Sequence, residues 1–223
     1  MNEGLLKEAF IKFTSGVIIL GLLLFVPAMS LSWVNAWILM ALLFIPMLFG
    51  GIFMFIKAPN LLKNRLKSKE TQNEQKNIII CSGIMFISSF IIAGLNNNFK
   101  WVELPKIFVI IGIIVFILAY IMFGEVLREN EYLSRIIEVQ EGQKVVDTGL
   151  YGIVRHPMYS ATVFLFLSMP LILGSPLSFL IMLVYIPIIV KRIENEEMVL
   201  EKELNGYKEY QEKVKYRIIP YIW

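Results

Sequence analysis

The sequence predicts an all-α polytopic integral membrane protein, and three observations lead to this fold class. Hydrophobic residues make up 57% of the 223 residues and charged residues 17%, whereas soluble domains average about 45–50% and about 25%. The apolar residues gather into about six helical segments that are long enough, or nearly so, to cross a bilayer. The polar residues collect between these segments and after the last one.

The predicted segments divide the chain into two parts. The N-terminal part, residues 1–124, holds four spans, at 13–30, 33–56, 77–95 and 105–124. The second part, residues 125–223, consists of a linker over 125–157, two short segments at 158–173 and 176–191, and a C-terminal region over 192–223. Only Gly174-Ser175-Pro176 separates the two short segments, which predicts a tight helical hairpin.

The first span has some features of a secretory signal. Lys7 and Lys12 precede an apolar run that ends at Ala28-Met29-Ser30, as in a signal peptide with a small-residue cleavage site. Because the run is long for such a signal and another apolar segment follows almost at once, we expect an uncleaved first span.

The distribution of basic residues predicts the orientation. The segment 57–76 carries Lys57, Lys63, Arg65, Lys67, Lys69 and Lys76, whereas the turn at 30–32 carries no charge. The positive-inside rule places this segment in the cytoplasm. Counting spans from there also places both termini, the linker 125–157 and the region 192–223 on the cytoplasmic face.

An amphipathic helix is predicted beyond the last span, over 194–214. Its apolar residues recur at three- and four-residue spacing, at Leu200, Leu204, Tyr207, Tyr210 and Val214. Gly206 weakens this helix locally.

Composition also excludes several kinds of site and partner. The chain has one histidine and one cysteine, so it has no internal disulfide, and a His/Cys metal cluster is excluded. We therefore expect no metal. The formal net charge of +3 is too small to indicate a nucleic-acid partner. The composition makes no prediction of the oligomeric state.

Two polar clusters carry the candidate chemistry. The first lies over 139–159 and includes Arg155-His156-Pro157, and the second is Arg192-Ile193-Glu194-Asn195-Glu196-Glu197. Because a hairpin returns to the membrane face from which it starts, we expect the two clusters to meet. The arginines and tyrosines also fit ordinary interfacial anchors. The run of carboxylates at a membrane surface is better explained by partners of opposite charge or by a ligand.

The order of these motifs resembles a known family. GLYGIVRHPMY, a hairpin, RIENEEMVL and GYKEYQEKVKYRIIP follow one another, which is similar to the isoprenylcysteine carboxyl methyltransferase family and the related membrane phospholipid N-methyltransferases. The resemblance covers roughly residues 120–223. It implies that S-adenosylmethionine binds in a cytoplasmic pocket capped by the C-terminal segment. It also implies that a lipophilic acceptor enters from the bilayer.

The resemblance also implies site residues. The cofactor contacts would be Gln140, Gln143, Lys144, Val145, Val146, Tyr151, His156, Pro157, Met158, Tyr159 and Glu196. Arg192 would hold the acceptor carboxylate, and Arg192, Glu196 and His156 would form the catalytic set. One stretch departs from the family, because the prenylcysteine members have His-Thr-Leu-Val where this chain has Gln143-Lys144-Val145-Val146.

Several functions remain open from the sequence. Methylation of a lipid-like carboxylate leads, because a carboxylate is nucleophilic at neutral pH and needs only a cation to hold it. Methylation of a lipid amine is the alternative, and it would require His156 or Glu197 as a base. A membrane reductase is a further alternative, although Lys144 and Arg155 are the only cations over 139–159 that could hold a nicotinamide-cofactor phosphate. The last alternative is a membrane protein without enzymatic activity.

Overall fold

The structure is a computed structural model that describes residues 2–67 and 73–223. Within these residues the backbone forms no strand. It forms nine α-helices, and a short 3-10 helix at Gly149–Gly152 lies between the fifth and the sixth. The α-helices are α1 Asn2–Ala28, α2 Val34–Lys57, α3 Pro59–Leu66, α4 Asn73–Phe99, α5 Lys106–Glu129, α6 Pro157–Leu173, α7 Pro176–Met182, α8 Tyr185–Glu203 and α9 Tyr207–Lys213. Lys69, one of the basic residues in the orientation argument, lies outside the described residues.

Five of the six predicted membrane segments are confirmed as helices of spanning length and composition. Five helical stretches in the described part of the chain qualify, namely Glu3–Ala28, Val34–Lys57, Gln75–Phe99, Lys106–Glu129 and Pro176–Glu203. The sixth segment, Pro157–Leu173, is apolar but shorter. Large apolar side chains such as Ile18, Phe53 and Ile121 are exposed on the spans, as expected of surfaces that face lipid.

Part of the predicted basic loop over 57–76 is instead a short helix, α3. Pro59 occupies its first turn, where a missing N–H has no cost. Leu61 and Leu62 are buried, and Leu61 packs in a cluster with Leu133 of the linker. The Asn64 carbonyl also accepts a hydrogen bond from the Arg135 amide at 3.5 Å. The helix therefore supports the linker.

The two central helices of the fold, α5 and α6, pack at very short distance. A Cβ atom added to Gly112 on α5 would lie 2.8 Å from Leu171 Cβ and 3.0 Å from the Ile172 nitrogen on α6. Small residues allow such close backbone approach in membranes, where dispersion contacts replace the hydrophobic effect between helices. The pairing of α5 with α6 fixes the position at which the linker enters the hairpin.

The helical hairpin is confirmed. Gly174 ends α6 with φ +72°, and the Ser175 hydroxyl accepts a hydrogen bond from the Ser178 amide at 3.3 Å, which caps α7. The returning segment is interrupted between Met182 and Tyr185, just before Pro187, which has no N–H to continue the ladder. The start of α6 and the end of α8 consequently lie at the same end of the molecule.

The predicted single helix over 194–214 is instead two helices. Gly206 has φ +84°, a left-handed conformation that stops an α-helix and that glycine adopts without steric cost. The chain therefore turns between α8 and α9. The predicted apolar face is buried, because Leu204, Tyr207, Tyr210 and Val214 pack against Val145 of the linker and its neighbours.

The C-terminal tail, residues 214–223, lies along the start of α6. The Arg155 and His156 amides donate to the carbonyls of Tyr216 and Arg217, each at 2.8 Å. The Ser160 hydroxyl donates to the Ile218 carbonyl at 2.6 Å. Main-chain hydrogen bonds thus attach the tail to the first cluster.

Candidate functional site

The two polar clusters of the sequence are in direct contact. His156 precedes the first turn of α6, and Glu196 and Glu197 lie near the end of α8. The His156 Nε2 atom is 3.1 Å from Glu197 Oε1, and its Nδ1 atom is 3.9 Å from Glu196 Oε1. The imidazole is only 5% exposed. The expectation that the hairpin brings these residues together is confirmed.

Glu197 is the centre of a buried ion cluster. Its Oε1 atom accepts from Arg155 Nε at 2.7 Å, and its Oε2 atom accepts from Arg217 Nε at 2.8 Å. The side chains of Arg155 and Glu197 are 8% and 4% exposed. With His156 also in contact, both oxygens of Glu197 are occupied. The carboxylate therefore joins α6, α8 and the tail, and it is not poised as a proton acceptor.

A second chain of hydrogen bonds runs through Tyr159. The Tyr159 hydroxyl donates to Glu196 Oε2 and accepts from Arg192 Nε at 2.9 Å. Arg192 also donates to the Gln75 Oε1 atom at 3.0 Å and to the Arg135 carbonyl at 2.8 Å. Tyr159 thus links a cation and a carboxylate that lie one helical turn apart on α8.

Five of the residues described above line a cavity bounded by the linker, the start of α6, the end of α8 and α9, namely Arg155, His156, Tyr159, Arg192 and Glu196. Its empty space is about 830 Å³ when the open mouth is included. The lining includes most of the predicted site residues, which are Gln143, Lys144, Val145, Val146, Tyr151, His156, Met158, Tyr159, Arg192 and Glu196.

A family model matches part of this chain. Residues 98–202 match the model of the isoprenylcysteine carboxyl methyltransferase (ICMT) family. The match covers 105 of the 223 residues, and this part of the chain is similar to the ICMT family. The match contains α5, the whole linker, the hairpin and nearly all of α8.

A solved structure shows the same fold. The eukaryotic intramembrane Ras methyltransferase ICMT superposes with a TM-score of 0.52, covering 96% of this chain and 84% of that one at 18% identity. The all-helical polytopic membrane fold expected for an ICMT-family chain is therefore confirmed.

A second relative comes from a different class of enzyme. The chain is 32% identical over 90 residues to the Delta(14)-sterol reductase TM7SF2 of Mus musculus. That alignment covers 39% of this chain and 22% of the reductase. The chain therefore spans about a fifth of this curated relative.

Two predicted ICMT-type contacts are not part of the cavity wall. Gln140 shapes the linker: its Nε2 atom donates to the Tyr132 carbonyl at 2.6 Å, and its Oε1 atom accepts from Asn64 at 3.0 Å. Pro157 is buried in the first turn of α6. Gln140 therefore stabilises the linker and Pro157 the start of α6, and both of these elements carry other lining residues.

Sequence reasoning missed Tyr207 as a site residue. It lines the cavity, and its buried hydroxyl has no hydrogen-bond partner within the described residues. Burial raises the pKa of Tyr207 and of Tyr151 far above the ordinary tyrosine value, so both hydroxyls stay protonated and can donate. The sequence did contain one signal, namely that Gly206 directly precedes Tyr207.

Further lining residues come from the linker and from α8 and α9. They are Asn130, Tyr132, Leu133, Ser134, Ile136, Ile137, Glu138, Arg155, Leu200, Leu204 and Tyr210. The Tyr210 hydroxyl donates to the Tyr151 carbonyl at 2.7 Å, and Asn130 donates to the Tyr151 hydroxyl at 2.9 Å. These contacts fix the aromatic side of the cavity. Few local sequence signals marked the linker residues, because their role depends on how the linker folds over α3.

Proposed function

We propose that the protein is an integral membrane methyltransferase that uses S-adenosylmethionine to methylate a lipophilic acceptor. The observation that carries this proposal is the hydrogen-bonded series Arg192, Tyr159 and Glu196 along one wall of the cavity. In this proposal the Arg192 cation positions an anionic acceptor, and the Glu196 carboxylate beside it binds a cationic cofactor. The match of residues 98–202 to the ICMT family supports the same reaction class.

The cavity residues fit this cofactor. S-adenosylmethionine is a sulfonium cation with amino, carboxylate and ribose groups, and its bound form supplies an electrophilic methyl group. Carboxylates and aromatic faces stabilise such a cation, and the lining contains Glu138, Glu196, Tyr132 and Tyr159. The Tyr207 hydroxyl is buried and has no hydrogen-bond partner among the residues that the structure describes, so it is a donor for a polar ligand. We assign cofactor binding to Glu196, His156, Tyr207 and the stretch 143–146.

The acceptor is a carboxylate in this proposal. Its oxygen forms a bond to the methyl carbon as the carbon–sulfur bond breaks, and S-adenosylhomocysteine leaves with the electron pair of that bond. No proton moves, so the site needs no general base, which agrees with the occupied oxygens of Glu197. The site must hold the acceptor in line and exclude water, and Arg192 supplies the cation that positions it.

The proposed orientation follows from the basic residues. The site lies at the same end of the spans as α3, which carries Lys63 and Arg65, and the positive-inside rule places that end in the cytoplasm. A soluble cofactor is available there. We therefore propose that both termini and the cofactor cavity are cytoplasmic.

Cofactor binding is the direct test. Titration calorimetry on protein in nanodiscs should give a dissociation constant for S-adenosylmethionine in the micromolar range. We expect Glu196→Gln to weaken this binding at least tenfold. Glu194→Gln is the matched control, since Glu194 is an exposed carboxylate on the same helix, and it should leave binding unchanged. Well-folded protein without any affinity would refute the proposal.

The acceptor class has its own test. Membranes that contain the protein are incubated with methyl-labelled S-adenosylmethionine and then treated with base. Label released as volatile methanol identifies a methyl ester, whereas retained label identifies N-methylation of a lipid amine and contradicts the carboxylate assignment. Arg192→Ala should abolish turnover and leave cofactor affinity within about twofold.

A reductase is the second candidate, because of the 32% identity to the Delta(14)-sterol reductase. Such a reaction would use a nicotinamide cofactor, whose phosphates need cations. The cavity lining offers Lys144, Arg155 and Arg192, but Arg155 is bound to Glu197 and to the tail carbonyls of Val214 and Lys215. Titration with NADPH separates the two candidates, since the methyltransferase should show no saturable binding.

A further inference from the structure

Gln75 combines full burial with an unused hydrogen-bond donor next to Arg192. It lies near the start of α4, and its side chain is 0% exposed. Its Oε1 atom accepts from an Arg192 terminal nitrogen at 3.0 Å. Its Nε2 atom is buried and has no hydrogen-bond partner in the part of the chain that the structure describes.

The chemistry of the pair fixes which way this amide points. A guanidinium has only donors, so the amide oxygen must face Arg192 and the NH₂ group must point away from it. Native proteins rarely leave a buried N–H group without an acceptor. An oxygen atom of a bound molecule would satisfy it.

The position of Gln75 indicates which molecule that is. Arg192 lines the cavity and is also held by the Tyr159 hydroxyl and the Arg135 carbonyl, so its guanidinium has a defined orientation. Gln75 contacts Arg192 from α4, three residues before the apolar run of that helix begins at Ile78. A lipophilic acceptor that enters from the bilayer would bring its polar head to this place.

We propose that Gln75 is a specificity-determining residue, whose Nε2 group donates a hydrogen bond to a carboxylate oxygen of the acceptor beside Arg192. The inference rests on the proposed methyltransferase function and deepens it. A carboxylate has two oxygens with several acceptor positions, so it can bind the arginine and the amide together. A methyl ester has lost the charge and makes a weaker acceptor, so the pair favours substrate over product.

Two substitutions separate donation to the acceptor from positioning of Arg192. Gln75→Glu keeps an oxygen that can hold Arg192 but removes the N–H donor. Gln75→Met removes both the oxygen and the N–H donor but keeps a side chain of similar size. If Gln75 only positioned Arg192, Gln75→Met would be the more damaging change. If it donates to the acceptor, Gln75→Glu is at least as damaging. Gln211→Met is the matched control, since Gln211 contacts Glu201 on the surface of α9.

The measurement is binding by nanodisc-embedded protein saturated with S-adenosylhomocysteine. The probes are S-farnesylcysteine, its methyl ester and a short-chain phosphatidylethanolamine. We expect both Gln75 variants to weaken binding of the acid at least tenfold and to change binding of the ester less than twofold. Cofactor affinity and thermal stability, measured on the same samples, show that each variant is folded.

Five outcomes would contradict the proposed hydrogen bond or the function on which it rests. Equal weakening of acid and ester, or a smaller effect of Gln75→Glu than of Gln75→Met, overturns the proposed hydrogen bond. Saturable binding of the phosphatidylethanolamine in place of the acid assigns the donor to a phosphate and also overturns it. If the wild-type protein binds the cofactor but not the acid, the assignment of a carboxylate acceptor is refuted, and the proposed methyltransferase function is not. Absent cofactor binding in folded wild-type protein refutes the methyltransferase itself.

Discussion

The Arg155 guanidinium donates to Glu197 Oε1 at 2.7 Å, across 42 residues of sequence. Both side chains are almost fully buried, at 8% and 4% exposed. Arg155 also donates to the Val214 and Lys215 carbonyls at 2.8 Å each. One cation therefore joins the start of α6, the end of α8 and the C-terminal tail.

This relationship predicts a large loss of stability in Arg155→Leu. Removing one partner of a buried pair leaves an uncompensated charge, which costs about 3–5 kcal/mol of unfolding free energy. Unfolding in detergent, followed by circular dichroism, measures the change. Arg128→Leu is the control, because Arg128 pairs with Glu125 at 2.6 Å but is 70% exposed, and it should cost at most about 1 kcal/mol. Similar losses in both variants would contradict the central role of Arg155.

Tyr159→Phe should impair turnover more than cofactor binding. The change removes the hydroxyl that holds both Arg192 and Glu196, so each keeps its charge but loses its orientation. We expect turnover to fall at least tenfold and unfolding free energy by about 1.5–3 kcal/mol, as for hydrogen bonds to charged groups. Methyl incorporation into membranes gives the rate.

The control for Tyr159 is Tyr120→Phe. The Tyr120 hydroxyl donates to the Leu43 carbonyl at 3.2 Å, within the membrane spans. Its loss should lower stability by about 1 kcal/mol and leave turnover unchanged. Wild-type turnover in Tyr159→Phe would show that the link through the hydroxyl is dispensable.

Gly206→Ala should destabilise the C-terminal part. At φ +84° an alanine Cβ meets the backbone, which costs about 1–2 kcal/mol. The break between α8 and α9 positions Tyr207, so cofactor affinity should fall as well. Gly124→Ala is the control, since Gly124 lies in α5 with no atom within 4 Å of an added Cβ, and we expect no loss there. Unchanged stability and cofactor affinity in Gly206→Ala would show that the turn tolerates a side chain.

The contact between the linker and α9 should depend on pH. The Lys213 ammonium lies 2.6 Å from Asp147 Oδ2, and this hydrogen bond lowers the pKa of Asp147 in the folded protein. A lowered pKa means that the contribution is present above the unfolded pKa, about 3.9, and is lost as the pH falls through the folded value.

Asp147→Asn therefore should lower the melting temperature slightly at pH 7 and have less effect as the pH falls below about 4. Lys213→Met should match it, and the double variant should add nothing, because both changes remove the same contact. A difference between wild type and Asp147→Asn that is constant with pH would assign the effect to another cause.

Hydropathy sufficed to predict the spans, because lipid requires a continuous apolar surface and an internally bonded backbone. The turn at Gly174-Ser175-Pro176 predicted the hairpin, and the hairpin predicted that His156 would meet Glu196. These features are encoded within short windows of sequence.

Other features depend on contacts between distant residues. Gln75 contacts Arg192 across 117 residues, and no local pattern marks either residue as a partner of the other. The burial of Tyr207 in the cavity depends on the turn at Gly206 and on the fold of the linker. The helix α3 was not predicted because Leu61 and Leu62 are its only strongly apolar residues besides Leu66, and they are buried against other elements.

The cavity draws none of its described lining residues from α1 or α2. Substitutions there are constrained by solubility in lipid and by packing, whereas the proposed chemistry depends on the residues of the cavity wall. Mutational tolerance should therefore differ sharply between the first two spans and the cavity wall.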